Sequence, residues 1–393
     1  MTQTNKTLLP LAGVQVVEFC STAAGPFSAM LLADMGATVI KVEPPAGDSL
    51  RQWPPLNAGF SENFAALNRN KSSVVLDLKS PADLEIARQL ILDADIVLEN
   101  NRPGVMDRLG LGYASFAQER PKLLYCSISA YGQSGPRASE GGFDLTIQAS
   151  AGVMSVTGEA DGAPVKCGVP VSDFASGLYA AFSIVAMLTH VRAGGDGAHV
   201  DISMFGCTLG IAALQTSEYF GNGRSPGKLG SAHPRNAPYQ AFKASDGYFV
   251  IAAGNHKLWL EVCGVVDLPA LTDDPRFLST TDRAANQVAL KDQLEAVFGK
   301  QPVEHWITAF EAAGVPHARI NDYASALADP QTEFMNWIQD IDLPGGQTIK
   351  TFSSPIRLNG QGFPVRMSPP ALGQHTQEVK QRYGVSTSAS VKD

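Results

Sequence analysis

Apolar positions in the first third of the chain fall into short runs separated by stretches of helical spacing. Val14-Gln-Val-Val-Glu-Phe19 and Ala37-Thr-Val-Ile-Lys-Val-Glu43 read as buried strands, and between them Gly25-Pro26 opens a helix that runs to about Met35. Proline suits a first helical turn, where its missing N–H has no intrahelical partner to lose. Ser73-Val-Val-Leu-Asp-Leu78 predicts the next strand. Ser80 is placed to cap a helix with Pro81 at its first position and Asp83 in its first turn. Within that helix Leu84, Ala87, Leu90, Ile91 and Ala94 recur at helical spacing. Asp95-Ile-Val-Leu-Glu99 and Leu123-Leu-Tyr-Cys-Ser-Ile128 add two strands. This alternation predicts an α/β fold with a doubly wound, mostly parallel sheet covered by helices.

Further along, Phe174 to Arg192 is rich in Ala and Leu and reads as a buried helix, closed by Ala193-Gly-Gly-Asp-Gly197. A strand over His199 to Ser203 follows. Residues 205–238 are dense in Gly, Pro, Ser and Asn and read as a linker with a helix inside it. A small α/β domain is expected over 239–325, with a strand at Tyr248-Phe-Val-Ile-Ala252, helices to about Ala313 and a returning strand at Val315 to Ile320. Residues 326–340 form a second linker. The large domain, 1–204, is then completed by about 340–393, whose tail carries a final helix and a frayed end.

A length of 393 residues exceeds one ordinary core and agrees with two lobes. Hydrophobic residues at 44% and charged residues at 17% predict a packed globular protein rather than a disordered one. A net charge of −8 argues against nucleic acid as a partner, since such binders carry a basic surplus. The longest apolar run, Leu178 to Leu188, is interrupted by Ser183 and too short for a membrane span. Met-Thr-Gln-Thr-Asn-Lys at the N-terminus lacks the apolar core of a signal peptide. The cysteines (Cys20, Cys126, Cys167, Cys207, Cys263) are scattered and form no CxxC pair, which predicts a reduced, cytoplasmic protein. The histidines lack metal-ligand spacing, so no metal site is expected.

Candidate chemistry gathers at the ends of the predicted strands. The first loop, Cys20-Ser-Thr-Ala-Ala-Gly-Pro26, lacks the GxGxxG fingerprint, which disfavours nicotinamide dinucleotides. Its small residues suit either a tight turn or a closely approaching ligand. Arg69, Lys71, Lys79, Arg102 and Arg108 recur beside strand ends, where they serve as solvated charges or as partners for a phosphorylated nucleotide. Gly168-Val-Pro-Val-Ser-Asp173-Phe-Ala-Ser-Gly177 delivers one carboxylate to the start of an apolar helix. Two roles are open to Asp173: a helix cap, or a nucleophile kept ionised by the helix N-terminal amides. Ile251-Ala-Ala-Gly-Asn255-His256 offers backbone N–H groups of the kind that stabilise an oxyanion, with His256 as a helix-start residue.

Taken together and in order, these segments are similar to the family III CoA transferases, the group that includes formyl-CoA transferase, the carnitine CoA transferases and α-methylacyl-CoA racemase. The resemblance is carried by Leu31 to Glu43, Gly47-Asp-Ser-Leu-Arg-Gln-Trp53, Asn68-Arg-Asn-Lys-Ser-Ser73, Asn100-Asn-Arg-Pro-Gly104, Ser129 to Pro136, Gly142-Phe-Asp144, the Asp173 segment, Pro238 to Phe242, Asp246-Gly247 and Gly254-Asn255. It implies a large Rossmann-like domain and a small α/β domain joined into a ring-shaped subunit, two of which interlock as a homodimer. It implies Asp173 as the nucleophile, acyl-CoA and a carboxylic acid as substrates, and no tightly bound cofactor, coenzyme A itself being a substrate.

Family contacts to CoA carry over to Ala23, Ala24, Leu76, Lys79, Asn100, Arg102 and Arg108. One further basic contact falls on Pro44. Arg51, Trp53, Phe143, Gly254 and Asn255 match positions around the acyl group and oxyanion. Arg51, Arg137 and Arg235 are candidates to meet a second carboxylate. Racemases of this fold carry a histidine where this chain has Phe143, so a two-sided proton shuttle lacks one partner. Ala253-Gly-Asn255-His256 replaces the polyglycine lid of formyl-CoA transferase, which argues against formyl and oxalate specificity.

Overall fold

The computed structural model describes residues 8–384. The N-terminal hexapeptide read above for targeting and the end of the tail lie outside the described residues. One compact unit takes the chain through Val153, then Lys166–Gly221, then from Gln331 onward; the second takes Met154–Val165 and Asn222–Pro330.

Six strands form the sheet of the first unit: β1 (Gln15–Phe19), β2 (Thr38–Glu43), β3 (Lys71–Val75), β4 (Ile96–Glu99), β5 (Leu124–Ser129) and β6 (Ala198–Ser203). All pair in parallel, in the order β3-β2-β1-β4-β5-β6. Val17 of β1 lies opposite both Ile40 and Val97, which fixes the register at the centre. Successive residues of β1 feed two cores. Val16 joins Leu32, Leu98, Cys126 and Ile184 on one face, and Val17 joins Val74, Leu90, Val97 and Tyr125 on the other. Both faces are covered, as a parallel sheet requires. The strand order reverses between β1 and β4, and in such sheets that switch point opens a crevice at the carboxyl ends.

Helix α1 (Ala24–Asp34) follows β1, α2 (Pro81–Asp93) follows β3, and α3 (Asp144–Ser150) and α4 (Val171–Arg192) lie between β5 and β6. Three local expectations need correction. Strand β3 starts at Lys71 and ends at Val75, because Lys71 and Ser73 are buried with acidic partners, Glu18 and Glu43, that no local pattern reveals. Ser80 occupies the position before α2, but its side chain makes no capping bond. Helix α4 begins at Val171, earlier than expected. By length and composition this 22-residue helix, with an 18-residue window of mean hydropathy 1.6, is long and apolar enough to cross a membrane, which uninterrupted runs did not reveal. In the structure α4 buries Ala180, Ile184 and Leu188 in the core beside β1 and β5.

The stretch 205–238 holds the helix Ala213–Asn222 and most of Met204–Ile211. In the second unit, β7 (Tyr239–Lys243), β8 (Tyr248–Ala252) and β9 (His317–Arg319) form an antiparallel sheet with β8 central. Its core is aromatic, with Phe242, Phe249, Phe298, Trp306 and Phe310 all buried.

Candidate active site

Two cavities open at the carboxyl ends of β1 and β4. The larger, about 510 Å³, is lined by Phe19, Pro44, Asp48, Leu76, Lys79 and Met106, among others. The smaller, about 370 Å³, is lined by Ala23, Ala24, Asn100, Arg102, Phe143 and Asp173, among others. Ser21 and Asn101 line both.

The turn between β1 and α1 is held from several sides. The Asn100 side chain accepts the Ser21 amide at 2.9 Å and donates to the Ser21 carbonyl at 2.8 Å. Lys41 donates to the Cys20 carbonyl at 2.7 Å. Helices α1 and α4 cross closely: a Cβ on Gly177 would stand 2.8 Å from the Ala24 carbonyl oxygen, so glycine is needed there. The Phe27 and Phe174 rings pack 4.7 Å apart beside this crossing. The crossing brings Asp173, third residue of α4, to the cavity that Ala23 and Ala24 line.

Asp173 does not cap its helix. The amide of Ser172 goes instead to Asp144 Oδ1 at 2.9 Å. Gln148 donates to the other Asp144 oxygen at 2.7 Å and accepts the Cys167 amide at 2.8 Å. Burial, and then the negative charge of Asp144, push the half-buried Asp173 carboxyl up to about 7. This reverses the expected effect of the helix terminus. The amide of Ser172, the residue before it, is spent on another carboxylate, whose charge disfavours ionisation of Asp173.

The remaining candidates divide clearly. Leu76 and Lys79 line the larger cavity, as does Pro44; Ala23, Ala24, Asn100, Arg102 and Phe143 line the smaller. Arg108 and Trp53 line neither. Arg51 is engaged by Glu43, at 2.6 and 2.7 Å, and by the Pro370 carbonyl at 3.0 Å, with its guanidinium 3.7 Å from the centre of the Phe64 ring. Arg137 is bound to Glu140 and to the Tyr131 hydroxyl. Arg69 pairs with Asp34, and Lys71 with Glu18, and both side chains are buried. Arg235, Gly254 and Asn255 belong to the second unit. There Asn255 accepts the Leu258 amide at 2.9 Å and caps the helix that His256 begins.

Sequence reasoning missed Asp144 with Gln148, and Asp48 with Lys41 and Glu18. A signal was present for the second group. Glu18 and Lys41 stand inside otherwise apolar strands, where a charge demands a partner.

The chain matches the model of "CoA-transferase family III" over residues 11–376. A "Succinate--glutarate CoA-transferase" of Agrobacterium fabrum is 36% identical over 378 residues, which span 94% of this chain and 94% of that one. An "Acetyl-CoA:oxalate CoA-transferase" of Acetobacter aceti is 37% identical over 380 residues, 95% of this chain and 96% of that one. Among solved structures, a CAIB/BAIF family protein from Brucella suis superposes with a TM-score of 0.85 at 36% identity, covering 96% of this chain and 100% of that one.

Proposed function

Because the chain belongs to CoA-transferase family III, we propose that it moves CoA from a dicarboxylic acyl-CoA, such as succinyl-CoA, to a free dicarboxylic acid, with Asp173 as the nucleophile. The observation that carries this reading is the Asp173 carboxyl: half-buried, facing a cavity at the sheet's switch point, its charge opposed by burial and Asp144. Once ionised, such a poorly solvated carboxylate is a strong nucleophile.

The ionised Asp173 attacks the thioester carbonyl and expels CoA as thiolate, leaving a mixed anhydride. The thiolate attacks the aspartyl carbonyl and releases the donor acid as its carboxylate, leaving an aspartyl-CoA thioester. The acceptor carboxylate attacks that thioester, re-forming an anhydride and freeing the thiolate. Attack of the thiolate on the acceptor's acyl carbonyl yields the new acyl-CoA and restores Asp173. No water enters the balance, and each aspartyl derivative stays activated for the next attack.

In this reading Ala23, Ala24, Asn100 and Arg102 receive the pantetheine arm in the smaller cavity, and Leu76 and Lys79 meet the nucleotide in the larger one. Lys79 supplies positive charge suited to phosphate. The dicarboxylate preference draws on the succinate and glutarate named for the Agrobacterium relative; the name of the Acetobacter relative pairs a dicarboxylic acid, oxalate, with the monocarboxylic acetyl-CoA, and oxalate is the acid the sequence argued against. The reading also includes ring-shaped subunits interlocked as a homodimer. The ring shape and the interlocking rest on the family resemblance; the exposure of Phe182 and Phe220, 74% and 81%, supports only a partner surface. Sedimentation checks that point.

The test is a panel of CoA donors against short mono- and dicarboxylic acids, oxalate included, read by mass spectrometry of the CoA esters. Transfer from succinyl-CoA to dicarboxylic acids is expected, and Asp173→Ala should bind CoA without any transfer. Borohydride after mixing with acyl-CoA should mark Asp173. Transfer retained by Asp173→Ala refutes the nucleophile.

A further inference from the structure

Thr22 is a β-branched residue held at φ +68°, in the left-handed region that such side chains avoid. It lies in the turn between β1 and α1, next to Ser21, which Asn100 fixes, and to Ala23, which lines the smaller cavity. Backbone strain of this kind persists only where its surroundings hold it.

The holder is Asp48. Its Oδ1 accepts the Thr22 amide at 3.1 Å and the Leu50 amide at 3.0 Å. Its Oδ2 lies 2.9 Å from Lys41 Nζ, and Lys41 stands 3.3 Å from one oxygen of Glu18. The other Glu18 oxygen is 2.9 Å from Lys71 Nζ. All four side chains are almost wholly removed from water. Two points of the turn, the Cys20 carbonyl and the Thr22 amide, thus hang on one chain of ions that begins inside the sheet.

We infer that Asp48 is a positioning residue for CoA binding, acting through the Thr22 amide, and that the Glu18–Lys41 pair beneath it serves to fix Asp48. The inference rests on the CoA reading above. A buried ion chain is a poor source of net stability, since well-packed apolar residues do as well. Its value here is geometric: the turn is set before the ligand arrives, so binding does not bear the cost of ordering it. Burial pulls Lys71 down to about 8 despite Glu18 beside it.

The experiment is titration calorimetry of CoA into the wild-type protein, Asp48→Ala, Thr22→Gly and the double variant, with steady-state kinetics beside it. Glycine accepts a positive φ without strain, so it leaves Asp48 less to hold. Asp48→Ala should weaken CoA binding about tenfold while the acceptor acid's KM stays within about twofold. In the Thr22→Gly background the same change should cost less than about threefold. Equal losses in both backgrounds, or a parallel rise in acceptor KM, would overturn the inference.

If Asp48→Ala fails to fold, Asp48→Asn decides. It keeps an acceptor for Thr22 but turns its amide against Lys41, which no longer fixes it, so CoA binding should weaken about threefold to tenfold, and by less in the Thr22→Gly background. Equal losses in both backgrounds overturn the inference there as well. Absence of CoA binding by the wild-type protein would remove the CoA reading and this inference together, whereas equal binding by wild type and Asp48→Ala removes this inference alone.

Discussion

Two carboxylates near the carboxyl end of one parallel sheet meet opposite surroundings. Glu18, on β1, faces the ammonium groups of Lys41 and Lys71, and the neighbouring Asp48 shares Lys41. Asp173, in the first turn of α4, faces a cavity on one side and the charge of Asp144 on the other. Burial acts on both regions. In the first, every charge has a counter-charge within ion-pair distance, and Lys41 stays protonated well above its ordinary range because Glu18 and Asp48 outweigh burial. In the second nothing offsets burial, and the carboxyl rises to about 7. A compensated buried charge is architecture; an uncompensated one at a cavity is chemistry in waiting.

Exchanging the character of each region tests that contrast. Asp173→Asn removes the nucleophile while keeping the shape, and transfer should fall by about three orders of magnitude or more. Steady-state assays with succinyl-CoA check this, and transfer near the wild-type rate would end the contrast. Lys41→Met does the reverse, leaving Asp48 and one Glu18 oxygen buried without their cation. A loss of about 3–5 kcal/mol is expected in chemical denaturation. A variant as stable as wild type would mean that the cluster is no keystone of the first unit.

The two regions were also unequally legible. β1, α1 and β2 could be placed from sequence because each strand buries apolar residues on both faces and Pro26 marks the helix start. β3 was displaced because its first residues are polar, and their partners Glu18 and Glu43 lie on other strands. Arg51 stood beside Trp53 in a segment that suggested an acyl pocket. One of its partners, the Pro370 carbonyl, comes from the far end of the chain, where no local pattern points to it. Asp173 could be singled out from its glycine-flanked segment at a helix start and from the resemblance. Its charge state could not, because Asp144 reaches it from another helix and takes the amide that a helix start seemed to offer. Residue types and spacing are local, whereas a buried group's proton is decided by whatever the fold brings against it.

A smaller effect follows from linkage. The folded-state pKa of Asp173, about 7, lies above its ordinary value of 3.8. The folded protein therefore holds this proton more tightly than the unfolded chain, so stability falls as pH rises between the two values and stays low above about 7. An amide in place of the carboxyl carries no such proton. Asp173→Asn should match wild type near pH 4 and exceed it at pH 8 by on the order of 2 kcal/mol, read as a higher thermal midpoint. An equal midpoint at pH 8 would show that Asp173 is solvated.

The finest test separates burial from the neighbouring charge. If free Asp173 must be ionised to attack, kcat/KM for the acyl-CoA rises with pH and levels off above about 7. Asp144→Asn removes the adjacent negative charge and keeps an oxygen to accept the Ser172 amide, but it turns an N–H2 donor toward the Gln148 donor and so gives up that hydrogen bond. Burial is the larger cause of the shift, so the midpoint should move only part of the way to the ordinary carboxylate range, by about one pH unit. The plateau rate should fall modestly as well, since a less basic carboxylate is a weaker nucleophile. A midpoint that stays put would assign the whole shift to desolvation and leave Asp144 as a helix-holding group. A midpoint that falls to the ordinary range would make Asp144, rather than burial, the group that governs when the nucleophile is available.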